Sequence, residues 1–155
     1  MVDVQLDVPH TFVDTLISMT EKVAGFPLNY CNRKIELKEV QHIQIYTKGV
    51  FRARIAFRME SSFRRAVLKG MQCSRECSQE MQDLYLGEFV NILSGCALTK
   101  INNKMGATSW LTVPQMGGIS SAKTEEYANV CNAYFTSEYG NLELQMSYDV
   151  SFGQH

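Results

Sequence analysis

Leu84-Tyr85-Leu86-Gly87-Glu88-Phe89-Val90-Asn91-Ile92-Leu93-Ser94-Gly95 is the stretch on which the reading of this 155-residue chain turns. Its apolar spacing is helical, yet two glycines stand inside it. A glycine in a helix interior costs roughly 1 kcal/mol relative to alanine. Met81, Tyr85, Phe89, Ile92 and Cys96 follow one another at steps of three and four, which predicts one buried stripe. Gly87, Glu88, Asn91, Ser94 and Gly95 fall on the opposite side, a carboxylate and a carboxamide one turn apart on a nearly bare surface. A solvated helix face would carry Lys, Glu, Gln or Ala instead. This face reads as one cleared so that something can approach it.

Outward from this segment, the pattern predicts a helix starting at Ser74 or Ser78, either of which can cap it, and ending near Ala97. A short helix over Ser62 to Lys69 precedes it and stops at Gly70. Earlier still come three strand-like pieces: Leu28 to Val40, irregular around Asn32-Arg33; Ile43 to Tyr46; and Phe51 to Phe57, where apolar residues alternate with Arg52, Arg54 and Arg58. Val2, Val4, Leu6 and Val8 alternate with polar residues as a half-buried strand. Thr11 with Asp14 then resembles a capping box for a helix carrying Phe12, Leu16, Met19 and Val23, which Gly25 and Pro27 end. Beyond the long helix, strands are predicted at Thr108 to Val113, Asn129 to Thr136 and Leu142 to Val150, with Pro114 and Gly117-Gly118 marking a bend.

Helix then three strands, twice over, reads as an internal duplication in which Gly25 and Gly95 are equivalent helix ends. Short turns between successive strands favour antiparallel pairing. The expected fold is one α+β domain over residues 1–155, an antiparallel sheet of about six strands with two principal helices.

The formal charge of −1 argues against a nucleic-acid binder. Arg52, Arg54, Arg58, Arg64, Arg65, Lys69 and Arg75 gather mid-chain, but Glu60, Glu76, Glu80 and Asp83 intersperse them, so the cluster reads as a solvated polar face. No apolar run approaches membrane length, and the first residues lack a signal-peptide pattern, so no membrane partner and a cytoplasmic location are expected. Five cysteines at scattered spacings fit the same compartment. Cys73 and Cys77, four apart, leave open a thiol-based redox role, while His10, His42 and His155 form no recognisable metal or catalytic set. The eight methionines read as core filler.

Glu88 and Asn91, three apart on a helix, are side-chain neighbours. From the spacing alone the pair reads equally as a functional site or as decoration. The glycine cost around it is what a functional surface tends to show. The segment Leu86 to Ala97, with Gly-Glu-x-x-Asn followed by Gly-x-Ala, resembles the signature helix of the CheC/CheX/FliY family of chemotaxis phosphatases. The first helix and the Pro114 to Gly118 stretch are similar to that family too, so the likeness spans about Thr11 to Gly118. Where the family commonly has Asn after the second glycine, this chain has Cys96, on the expected buried stripe.

The resemblance implies a phosphatase that removes the phosphoryl group from an aspartate of a CheY-type receiver domain. Asn91 would orient the attacking water, as a glutamine does in GTPases, and Glu88 would contact the receiver. Gly87, Ser94 and Gly95 would form the docking face. No cofactor is expected on this chain, because the Mg²⁺ ion would belong to the phosphorylated receiver. Aligning Gly25 with Gly95 sets Ser18 opposite Glu88 and Glu21 opposite Asn91, so one site is expected, as in the CheX-like branch, together with a homodimer joined through sheets. The competing reading is a non-catalytic receiver-binding or scaffolding module. Retention of both Glu88 and Asn91 favours the enzyme.

Overall fold

The alternation in Phe51-Arg52-Ala53-Arg54-Ile55-Ala56-Phe57-Arg58-Met59 places a strand at the centre of the molecule. In the computed structural model, which describes residues 7–117 and 127–151, this is β3 (Phe51–Glu60). Phe51, Ala53, Ile55, Phe57 and Met59 are all fully buried on one face. β2 (Val40–Gly49) and β7 (Gly140–Val150) flank it antiparallel, with Ile55 opposite both Ile45 and Met146. β1 (Asn29–Cys31), β4 (Ser109–Leu111), β5 (Gln115–Met116) and β6 (Asn129–Ser137) complete a seven-stranded antiparallel sheet. Its order is β1-β6-β7-β3-β2-β4, with β5 also on β2. Three helices, α1 (Val8–Ala24), α2 (Ser61–Gly70) and α3 (Gln79–Met105), supply the rest of one core. The α+β antiparallel architecture is therefore the one that the alternation predicts.

On the sheet's other face the strands are polar. Arg58 pairs with Glu143, and Arg52 pairs with Asp149, across the β3–β7 ladder. Glu143 is buried and also accepts hydrogen bonds from Asn132 Nδ2 at 2.9 Å and Gln145 Nε2 at 3.2 Å, so its charge is satisfied. Among the described residues, no helix is long and apolar enough to cross a membrane.

Four expectations need correction. Val2, Val4 and Leu6 lie outside the described residues, but Val8 opens α1 instead of closing a strand. The cap is Asp7, whose carboxylate accepts the His10 N–H at 3.0 Å, so Thr11 and Asp14 are interior positions. Pro9 sits in the first turn, where its missing N–H has no intrahelical acceptor to lose. Of the Leu28 to Val40 strand only β1 forms, at the sheet edge on β6. The backbone beyond it is tied differently, Lys38 N–H donating to Glu60 Oε2 at 2.8 Å.

The third correction concerns the long helix. Ser78 caps its start, accepting from Met81 N–H, but α3 continues past Ala97 to Met105 and ends at Gly106. Gly106 is left-handed (φ 61°), a conformation that costs glycine nothing, and its N–H bonds the Asn102 carbonyl. Asn102 also donates its amide to the Ser109 carbonyl at 2.9 Å, fastening the helix end to β4. Gly95 is thus interior, and the helix end equivalent to Gly25 is Gly106, both left-handed. The pairing of Ser18 with Glu88 and Glu21 with Asn91 falls with that alignment. The absence of a second pair does not depend on it, because α1 contains no asparagine.

The fourth is the buried stripe. Leu86, Phe89, Val90, Leu93, Ala97 and Ile101 are fully buried, whereas Met81 is exposed and Tyr85, Ile92 and Cys96 are half-buried. The helix is rotated by roughly a third of a turn from the expected setting. Only Phe89 belongs to both stripes.

Candidate functional site on the Glu88–Asn91 helix

The rotation of α3 decides what its polar side presents. Glu88 is exposed and Asn91 is half-buried. Among the described residues, neither side chain has a hydrogen-bond or ion-pair partner. A carboxylate and an amide left without partners inside the fold can serve a partner outside it.

Gly87, Asn91 and Gly95 stand at successive steps of four, in line on one side of the helix. A methyl group added to Gly87 would lie 3.8 Å from Pro114 Cβ, and one added to Gly95 would lie 3.6 Å from Leu111 Cδ1. The β4–β5 segment therefore runs beside both glycines. Both distances are ordinary van der Waals contact, so the chain's own packing leaves room for alanine at each position. The fold alone does not call for glycine there.

Ser94 departs from its expected place. It is fully buried, and its hydroxyl finds no hydrogen-bond partner. With the helix rotated, Ser94 turns inward beside Val90 and Ala97 and cannot belong to an exposed docking face. Two apolar side chains near the pair are exposed instead. Leu84, one turn before Glu88 on the same side, is 63% exposed, and Val113, next to Pro114, is 79% exposed. The sequence signal for Leu84 is its position four residues before Glu88, off the expected apolar stripe.

Cys73 and Cys77 are free and half-buried, and the Cys73 thiol is pushed up by burial and by a hydrogen bond with Cys77. A raised thiol holds less thiolate, so Cys73 is not activated as a nucleophile. Cys96 is also free and half-buried.

A seven-stranded antiparallel sheet with its helices on the apolar face is the class of fold seen in solved CheX structures. Solved structures place the chain in that class along nearly its whole length. CheX from Vibrio vulnificus superposes with a TM-score of 0.76, covering 96% of this chain and 100% of that one at 16% identity. A CheX–CheY–BeF3–Mg²⁺ complex from Borrelia burgdorferi gives 0.71, covering 93% and 99% at 14% identity. Thermotoga maritima FliY gives 0.63, covering 90% and 86% at 11% identity. At these identities the likeness is one of fold. No family model and no curated protein matches the chain.

Proposed function

We propose that this protein hydrolyses the aspartyl phosphate of a CheY-type response-regulator receiver, with one active site per chain at Glu88 and Asn91. The observation that carries the proposal is the unpartnered pair itself, set on a helix side where two glycines persist although alanine would fit. A cost of roughly 1 kcal/mol at each glycine, with no internal packing reason, points to an approaching surface. The CheX fold, and the occurrence of one CheX in complex with CheY, supports a receiver as that surface.

In this reading Asn91 hydrogen-bonds the attacking water and holds it in line with the phosphorus. The chain supplies neither nucleophile nor strong base, and the gain comes from placement. Glu88, one turn earlier and more exposed, contacts a cation of the receiver near its phosphorylation site. Exposed Leu84 and Val113 supply the apolar margin of the docking face. The Mg²⁺ that neutralises the phosphoryl group belongs to the receiver, and no cofactor is assigned to this chain. We also propose a homodimer through the sheet, whose polar face carries no helix among the described residues; light scattering at micromolar concentration would give the mass of two chains.

The test is to follow decay of a phosphorylated receiver with and without the protein. Accelerated decay that saturates with protein concentration supports the proposal. Tight receiver binding with unchanged decay would leave the non-catalytic module instead.

A further inference from the structure

Most of the mid-chain cations that read from sequence as one solvated face fall into two groups in the fold, with Arg54 apart on β3 opposite Ser147. Arg52 and Arg58 lie on β3 and are paired with Asp149 and Glu143. Arg64, Arg65 and Lys69 lie on α2, and with Arg75 they line a cavity of about 390 Å³. Among the described residues none of these four cations has an ion-pair partner, and no carboxylate lines the cavity. Arg65 and Lys69 are one helical turn apart, so their like charges repel. Arg64 is anchored by a hydrogen bond from its Nη2 to Gln82 Oε1 at 2.7 Å, but its Nε is buried with no acceptor. Buried donors without acceptors are rare enough to require an explanation.

A second cavity of about 620 Å³ adjoins the first and shares Arg65 and Lys69 with it. Its formation depends on Gly70, whose absent Cβ would lie 1.8 Å from the Ala24 carbonyl oxygen, so the ends of α1 and α2 meet only because of that glycine. Tyr139 lines this cavity, half-exposed and edge-on to Phe26 at 5.2 Å between ring centroids. Tyr139 thus puts an exposed aromatic ring at the cavity's edge. Four unpaired cations beside an aromatic-walled hollow form a shape with two chemistries.

We propose that the two cavities form one binding site for a phosphate-bearing small molecule of the nucleotide type. Its phosphates lie among Arg64, Arg65, Lys69 and Arg75, and its ring system lies against Tyr139. The phosphate oxygens accept from the exposed Arg65, Lys69 and Arg75 and relieve the repulsion between Arg65 and Lys69. Guanidinium groups suit phosphate because their fixed donors match its oxygens in pairs. Each cavity by itself falls within the range of small-molecule sites. The site stands apart from Glu88 and Asn91 and does not depend on what they do.

Calorimetric titration of the whole chain without Mg²⁺, using ATP, inorganic tripolyphosphate and adenosine, tests this. ATP should bind most tightly, tripolyphosphate more weakly, and adenosine without detectable heat. The double variant Lys69→Gln, Arg75→Gln changes only exposed side chains and should keep its melting temperature. It should lose roughly tenfold or more in ATP affinity, the scale of a lost charged hydrogen bond. Tyr139→Ala should bring ATP affinity down to that of tripolyphosphate. Absence of ATP binding at millimolar concentration overturns the proposal. So does an ATP affinity unchanged in the double variant, including the case where that variant weakens receiver binding instead, which would assign the cations to a protein contact.

Discussion

Replacing Gly87 and Gly95 by alanine should strengthen the fold and slow the proposed reaction. Each position lies inside α3, where glycine is about 0.8–1 kcal/mol worse than alanine. The new methyl groups would meet Pro114 at 3.8 Å and Leu111 at 3.6 Å, so neither neighbour has to move. The two sites are eight residues apart, about 12 Å along a helix, and touch different residues, so their effects should add. The double variant should gain about 1.5–2 kcal/mol, or about 3–8 °C in melting temperature for a chain of this length. Calorimetry of both single variants and the double variant measures this. Receiver dephosphorylation by the same proteins should fall, because the methyl groups stand beside Asn91 where the partner's backbone must approach. Gly95→Leu separates the effects differently: its larger side chain overlaps Leu111 and should cost about 1–3 kcal/mol in stability as well. A double alanine variant that melts no higher than wild type would refute the packing argument. One that melts higher and works at full rate would refute the assignment of these glycines to docking.

Three further outcomes are expected. Ser94→Ala removes a buried hydroxyl without a partner and should raise stability by roughly 1 kcal/mol, read as a higher urea midpoint at unchanged slope; a lower midpoint would mean the hydroxyl is satisfied. His42 is held below its ordinary 6.5 by burial first and then by the Arg58 guanidinium, with Glu143 opposing. Below pH 6.5 the unfolded chain therefore binds a proton that the folded chain takes up only at lower pH, so this stability is present above 6.5 and is lost as pH falls through the window beneath it. His42→Gln should flatten that part of the stability–pH curve, and an unchanged slope would remove His42 as its source. Leu84→Asp, on a side chain already in solvent, should leave stability within about 0.5 kcal/mol yet weaken receiver binding by roughly tenfold, measured by fluorescence anisotropy with a labelled receiver.

The sheet was legible because its strands alternate: Phe51 to Met59 and Leu142 to Val150 each carry a row of apolar residues that the core buries. The Glu88–Asn91 pair was legible because glycines stand where a helix would avoid them. The orientation of α3 was not, for a physical reason. Apolar residues surround this helix, so Met81-Tyr85-Phe89-Ile92-Cys96 and Leu86-Val90-Leu93-Ala97-Ile101 both satisfy helical spacing. The sheet takes the second row because it runs on to Ile101, whereas the first is followed by Lys100, which is exposed and reaches across to Thr15. Ser94, lying between the rows, went inward with the second. The helix outruns its expected end near Ala97 because Asn102, a weak helix former, ties the last turn to β4. The split of the arginines into paired and unpaired groups was invisible because it depends on which strand lies opposite.

The claim at the centre is that Asn91 places a water and does little else. The most direct measurement is single-turnover dephosphorylation of a receiver at saturating protein, comparing wild type with Asn91→Ala, alongside the affinity of each for the receiver. The account predicts nearly equal affinity and a rate lower by roughly 10²-fold. Equal rates at saturation would contradict it.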